Sequence, residues 1–161
     1  VFIDPLPLAP PALEELTAIA RPAAIVLTSA NHERAAARFR ERFAVPIIAH
    51  TAAAPELGIP VDRTVADGEM IFEGLTVIFL PGAAPGEIAL FDARGWMIVG
   101  DALIHLEPHG LTFLPDKYCA DAGHMRESLR KLLPFPFELL TFAHGSPLVS
   151  RARQRLENLL A

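Results

Sequence analysis

Side chains that can do chemistry are concentrated in four short loops, each of which follows an apolar, strand-like run. The loops comprise residues 28–34, 81–87, 100–103 and 143–147. The first reads TSANHER and the last reads AHGSP, so histidine, serine and acidic residues occur at these positions. Histidine and carboxylate side chains ligate metal ions or transfer protons. Since loops that follow strands carry function in layered proteins, these four loops are the candidate functional region.

The elements that must position the first loop form a β-α-β-α-β series. The predicted strands and helices cover residues 1–3, 10–20, 23–28, 32–43 and 46–49. The run at 23–28 is apolar almost throughout, which is typical of a strand buried on both faces. Asn31 is the expected N-cap of the second helix, which would begin at His32.

The remainder of the chain is richer in short strands. The predicted strands cover residues 69–72, 75–80, 87–91, 96–99 and 137–142. Residues 51–63 and 103–118 contain several prolines and glycines and are expected to be irregular connections. Helices are expected over 122–133, capped by Asp121, and over 148–160. The series predicts a single α/β domain over residues 1–161, with helices covering apolar strands.

Composition excludes several classes of protein. The chain has 161 residues, of which 52% are hydrophobic and 20% charged, so a disordered chain is excluded. A net charge of −5 provides no positive field for a phosphate backbone, and no nucleic-acid partner is expected. No apolar run approaches the roughly 20 residues of a membrane helix, so no membrane partner is expected. The single cysteine, Cys119, cannot form an internal disulfide and favours a reducing, cytoplasmic location.

The order and spacing of the four loops resemble the metallo-β-lactamase-fold hydrolases. The most specific part is the segment PGAAPGEIALFD followed by GDALI, with a late HG turn. The resemblance covers nearly the whole chain and implies a four-layer αββα sandwich. The chain has no initiator Met and opens on a strand-like run, so the first strands of the native protein are expected to be missing from it. An edge strand exposed in this way leaves a homo-oligomer open, because edge strands pair readily with another chain.

The resemblance assigns the histidine positions of the first metal site to residues that bind metal poorly. These positions fall on Ser29, Asn31 and Ala83, and none of them is histidine. Zinc sites require at least three protein ligands, and alanine offers no donor atom. A transition metal is therefore not expected here. Ser29 is expected to be a loop or capping residue, since it lacks the surroundings of an activated nucleophile.

The second metal site is only partly retained. Its acid and histidine positions fall on Glu33 and Arg34, whereas Asp101 and His144 stand where the family has its bridging aspartate and last histidine. An arginine fork pairs well with carboxylates, so we expect Arg34 to replace the ion and to hydrogen bond Asp101 or Glu33. His32 falls at a variable position of the motif and is expected in the pocket without being a retained ligand.

These substitutions favour a non-catalytic or cryptic pseudo-hydrolase without a metal cofactor, whose pocket binds a small molecule or a partner. The alternative is a hydrolase with one zinc, iron or manganese ion held by Asp101 and His144. His105 and His109 are further candidate ligands of such a site. An interaction protein that keeps the fold as a scaffold is the third interpretation. The substrate stays open, because one fold supports many reactions.

Overall fold

A computed structural model describes residues 1–161. The helices are α1 (Pro10–Ile19), α2 (Ala36–Phe43), α3 (Ala122–Leu129) and α4 (Ala152–Leu160). The strands are β1 (Phe2–Ile3), β2 (Ile25–Leu27), β3 (Ile47–His50), β4 (Arg63–Val65), β5 (Met70–Ile71), β6 (Leu75–Phe79), β7 (Ile88–Asp92), β8 (Trp96–Val99), β9 (Leu103–Leu106), β10 (Gly110–Phe113) and β11 (Leu139–Phe142). None of the helices combines the length and the apolarity needed to cross a membrane.

The strands form two sheets and a separate hairpin. The first sheet has the order β1-β2-β3-β4 and is parallel throughout. The second has the order β11-β8-β7-β6-β5, in which β11 is parallel to β8 and the other pairs are antiparallel. Strands β9 and β10 pair with each other as an antiparallel ribbon, and His105 of β9 also forms a single parallel bridge to Gly145.

Alternation of side chains along the strands builds the layers of the fold. In β2, Ile25 and Leu27 face the cluster that contains Phe39 of α2, whereas Val26 faces the second sheet and joins a cluster with Ile88. Successive strand residues point to opposite faces, so a strand buried between two layers is apolar at every position. All three residues of β2 are buried, as the sequence predicts.

The outer face of the second sheet is covered by the remaining helices. Phe91 and Met97 of this sheet share a core cluster with Met125 of α3 and Leu156 of α4. The layers therefore run helix, sheet, sheet, helix, which confirms the predicted four-layer αββα sandwich.

Two connections that the sequence predicts to be irregular contain strands. Strand β4 begins at Arg63, the last position of the connection over 51–63. The connection over 103–118 contains the hairpin β9-β10, in which Leu103 pairs with Phe113 and Leu106 pairs with Gly110. The prediction was wrong for the hairpin because its proline and glycine signals mark the turn between two strands. Pro108 lies in that turn and Gly110 directly follows it with a left-handed φ of 69°, and such residues are favoured at turns.

Helix boundaries differ from the prediction at three places, one of which is the end of α3 at Leu129 and not at 133, where a 3₁₀ turn over Arg130–Leu132 follows. Helix α2 begins at Ala36 and not at His32, because Arg34 adopts a left-handed φ of 41° that an α-helix does not tolerate. The cap is also different, since the Ser29 hydroxyl accepts the Asn31 N–H ahead of a short 3₁₀ turn at Ala30–His32. The C-terminal helix begins at Ala152, four residues later than expected from 148.

Candidate functional site

The candidate site lies where the ends of four strands meet at one edge of the sandwich. Asp4 follows β1 and Thr28 follows β2, while Asp101 and His144 come shortly after β8 and β11. Strands β1 and β2 are parallel, and so are β8 and β11, so the carboxyl ends within each pair lie together. In open sheets, ligands bind outside these carboxyl ends.

Three side chains converge on one point at the centre of this edge. Nε2 of His32 lies 3.1 Å from Oδ1 of Asp101, and Nε2 of His144 lies 3.3 Å from the same oxygen. One donor atom from each of the three residues falls within 4.8 Å of the other two. His32 is 2% exposed and Asp101 is buried, whereas His144 is open to solvent.

This donor set has the chemistry of a site for one divalent metal ion. Two imidazole nitrogens and a carboxylate oxygen suit zinc or iron. Ligand atoms about 2.1 Å from a tetrahedral ion lie about 3.4 Å from one another, close to the spacings around Asp101 Oδ1. The donor chemistry of the three residues and the two spacings to Asp101 Oδ1 suit one ion with positions left for water or substrate, and the three ligand atoms lie within 4.8 Å of one another.

A second carboxylate, that of Asp4, orients His32 through the other ring nitrogen, Nδ1. Nδ1 of His32 lies 2.9 Å from Oδ2 of Asp4. The Thr28 hydroxyl donates to the same oxygen at 2.5 Å, and the Thr28 backbone N–H donates to Oδ1 of Asp4 at 2.8 Å. These bonds fix the ring of His32 with Nε2 towards Asp101. A carboxylate on the far ring nitrogen is the usual outer partner of a metal-binding histidine.

The two carboxylates also control the protonation of His32 when no metal is bound. Burial by itself would lower the pKa of His32, but hydrogen bonds and charges from Asp101 and Asp4 outweigh burial and raise the pKa to about 9. Burial would raise the pKa of Asp101, but the His32 hydrogen bond and the nearby charges of His32, His144 and Arg34 hold it below its usual value. Without metal, the site is therefore an ion pair network.

Glu87 lies beneath the Asp101 loop and is completely buried. Its Oε1 accepts the backbone N–H groups of Asp101 at 2.6 Å and Ala102 at 3.0 Å, and its Oε2 has no hydrogen-bond partner. Burial raises the pKa of Glu87 to about 8 against the opposing effect of these donors. A Cβ at Gly100 would lie 2.6 Å from both Glu87 Oε1 and Thr28 Oγ1, so only glycine allows this close packing.

Among the residues predicted at the first metal position, only Asn31 reaches the cleft beside Asp101. The Ser29 side chain is buried and caps the 3₁₀ turn, as expected for a capping serine. Ala83 is buried in the core cluster beneath α3. These three positions therefore form no set of metal ligands, in line with their residue types.

The prediction that Arg34 replaces a metal ion through Asp101 or Glu33 was wrong in its contacts. The Arg34 guanidinium donates to the backbone carbonyl of Asp4 at 3.4 Å, and the Glu33 carboxylate accepts the N–H of Gly58. Neither side chain forms a hydrogen bond with a member of the donor group. The cationic group beside Asp101 is instead His32.

The further histidine candidates also lie apart from the donor group. Nδ1 of His105 contacts the carbonyl of Ser146 at 2.7 Å, and His109 lies in the turn of the β9-β10 hairpin. The third donor beside Asp101 and His144 is His32, which sequence reasoning placed in the pocket without assigning it as a ligand. Asp4 was missed altogether. No local pattern marks either role, because each depends on contacts between distant positions.

A cleft of about 470 Å³ opens from the donor group. Asn31, Asp101 and His144 form its polar side. Its other lining residues are Ile104, Leu106, Leu114, Pro115 and Tyr118. Such a mostly apolar cleft with few polar groups is the usual form of a small-molecule site.

Comparisons with known proteins agree with this architecture. The family model described as metallo-beta-lactamase superfamily matches residues 1–161. The crystal structure of TTHA1623 in a di-iron-bound form is 31% identical, with a TM-score of 0.68, and the match covers 90% of this chain and 81% of that chain. The BLEG-1 B3 metallo-beta-lactamase is 21% identical with a TM-score of 0.72, covering 90% and 80% of the two chains.

A metallo-beta-lactamase from Hirschia baltica is 18% identical with a TM-score of 0.69, covering 92% of this chain and 71% of that chain. These two lactamases are similar to the chain in fold alone. No protein with a curated function matches the sequence.

Proposed function

The chain belongs to the metallo-beta-lactamase superfamily, and from its site we propose a hydrolase that holds one metal ion on His32, Asp101 and His144. The observation that carries this proposal is the convergence of both histidine Nε2 atoms on Asp101 Oδ1, at 3.1 and 3.3 Å. Zinc, iron and manganese are the candidate ions. The similar TTHA1623 structure contains two irons, whereas the residues of this chain support one metal position.

A second ion is not part of the proposal, because the remaining positions lack donors. Ala83 offers no donor atom, and the Glu33 carboxylate is engaged by Gly58. The Arg34 guanidinium has no lone pair for a metal and repels cations. A family-type pair of ions therefore does not fit these side chains.

The protein's own groups supply orientation and substrate contacts. Asp4 and Thr28 hold His32 in a fixed orientation, and Glu87 holds the Asp101 backbone through two N–H groups. A bound divalent ion would lower the pKa of a water molecule to about 7, which makes it a nucleophile at neutral pH. The cleft beside Asn31 and His144 receives the substrate and excludes part of the surrounding solvent.

A metal-free pseudo-hydrolase is the second candidate, and one observation favours it. Each ring nitrogen of His32 faces a carboxylate, so a protonated His32 satisfies Asp4 and Asp101 without any metal. In this case the cleft would bind a ligand without hydrolysing it. The two candidates make opposite predictions for metal binding.

Metal titration of chelator-treated protein distinguishes the two candidates. We expect one equivalent of zinc, iron(II), manganese or cobalt to bind at pH 7.5, measured by calorimetry and by the visible absorption of cobalt. Ester hydrolysis should appear with the metal. His144→Gln should abolish both, and this exposed side chain can be changed with little effect on folding. His124→Gln is the matched control, since His124 is an exposed histidine of α3 outside the donor group.

Failure of all four ions to bind would contradict the hydrolase and support the pseudo-hydrolase. Binding that survives His144→Gln and Asp101→Asn would contradict the assigned ligands. Circular dichroism of each variant establishes that the fold is intact.

A further inference from the structure

The cleft beside the donor group has an apolar side that the metal ligands do not explain. Ile104 and Leu106 come from β9, and Leu114, Pro115 and Tyr118 come from the segment after β10. We propose that this side binds an apolar arm of an uncharged substrate. The inference rests on the proposed function for the reaction at the donor group, and it adds the substrate class: neutral carboxylic esters or amides with a medium-length aliphatic arm.

The charges around the cleft argue against substrates that carry a carboxylate. No lysine or arginine lines the cleft, and its one buried ionisable acid is Asp101. The nearby cations have other contacts: Lys117 Nζ lies 4.7 Å from the centre of the Tyr118 ring, and Arg126 pairs with Asp116. His32 already faces Asp4 and Asp101, and His144 faces Asp101, so a further carboxylate in the cleft would lose water without gaining a free cationic partner, which is unfavourable.

The hairpin β9-β10 supplies the surface for the arm. All four residues of β10 are partly exposed, and Leu106 of β9 is 44% exposed although it is a large apolar residue. Partly exposed leucine and isoleucine beside a polar donor group are typical of a binding surface. Burial of each methylene of a ligand is worth about a fourfold gain in affinity. Several methylenes buried against this apolar side of the cleft should therefore contribute most of the binding free energy.

Three unreactive probes test the inference on chelator-treated protein: octanamide, octanoate and acetamide. Octanoate differs from octanamide by its charge, and acetamide differs by its missing arm. We expect octanamide to bind at least tenfold more tightly than either of the others, measured by calorimetry. Methyl NMR shifts should fall on Ile104, Leu106 and Leu114. Equal or tighter binding of octanoate would overturn the inference, and so would shifts confined to another part of the surface.

A pair of leucine variants tests whether Leu106 on the apolar side of the cleft contacts the ligand. Leu106→Ser should weaken octanamide about tenfold and leave acetamide unchanged. Leu139→Ser is the matched control, because Leu139 is also a strand leucine, with 39% exposure, and it does not line the cleft. If both variants bind octanamide as tightly as the unmodified protein, Leu106 is not part of the site and the inference fails. Leu106→Lys should reverse the preference in favour of octanoate.

The same substrate series separates this inference from the proposed function. In metal-loaded protein, kcat/KM should be at least tenfold higher for 4-nitrophenyl octanoate than for the acetate. Metal-dependent hydrolysis without a chain-length preference would overturn the inference and leave the hydrolase intact. Octanamide binding in protein that takes up no metal would refute the hydrolase and support the cleft as a site for neutral apolar ligands.

Discussion

Raising the pH should destabilise the metal-free protein through one buried side chain, His32. Both ring nitrogens face carboxylates, and the pKa of His32 rises from 6.5 to about 9 on folding. Between these two values the folded state binds the proton and the unfolded state has released it. The contribution of His32 to the unfolding free energy is therefore fully present below pH 6.5 and is lost as the pH rises through about 9.

The size of this effect follows from the change in pKa. A rise from 6.5 to about 9, at 1.36 kcal/mol per unit, corresponds to about 3 kcal/mol. The total free energy of unfolding of a small domain is about 5–15 kcal/mol, so this loss is large enough to measure. Burial of Glu87 raises its pKa to about 8, and its proton makes stability fall in the same direction between its unfolded value of 4.5 and pH 8. The contribution of His32 must therefore be isolated with a variant.

Urea denaturation in the presence of chelator, followed by far-UV circular dichroism at intervals from pH 6 to pH 10, measures the effect. His32→Gln removes the titrating group, so the difference in unfolding free energy between the two proteins should fall by about 3 kcal/mol across this range. His144→Gln, at the exposed histidine of the same group, should keep most of the dependence. A difference that stays constant between pH 6.5 and pH 9 would refute the ion pair network around His32.

Three further substitutions test the surroundings of the site. Asp4→Ala leaves the His32 cation with one carboxylate and leaves the Thr28 groups unpaired. It should lower the free energy of unfolding, measured by urea denaturation at pH 7, by about 3–5 kcal/mol, whereas Asp4→Asn should lower it less. Glu87→Ala leaves the N–H groups of Asp101 and Ala102 without an acceptor and should lower the unfolding free energy by about 2–3 kcal/mol, while Glu87→Gln keeps an acceptor oxygen and should lose under 1 kcal/mol. Arg34→Gly relieves the left-handed backbone at φ 41° and loses only a weak hydrogen bond to the Asp4 carbonyl, so it should raise the unfolding free energy by about 1 kcal/mol. A decrease of that size would mean that the Arg34 side chain stabilises the site.

The layered fold was predictable because its signals are local. The uninterrupted apolar run that ends at Thr28 predicts a strand covered on both faces, and β2 is buried in this way. The strand-end loops, which include PGAAPGE and GDAL, resemble those of one family closely enough to imply the whole architecture. The same resemblance placed Asp101 and His144 in one pocket, and they lie 3.3 Å apart.

The sequence by itself determined the buried strands and the helices that cover them, because residue types and short periodicities express both, and the resemblance of its loops implied the order of the layers. Only the tertiary structure decided that His32 takes the central position and that Arg34 does not. This choice depends on Asp4, which follows a parallel neighbouring strand and reaches across to His32. Contacts of this kind leave no periodic signal, since they join positions far apart in the chain through the path of the backbone.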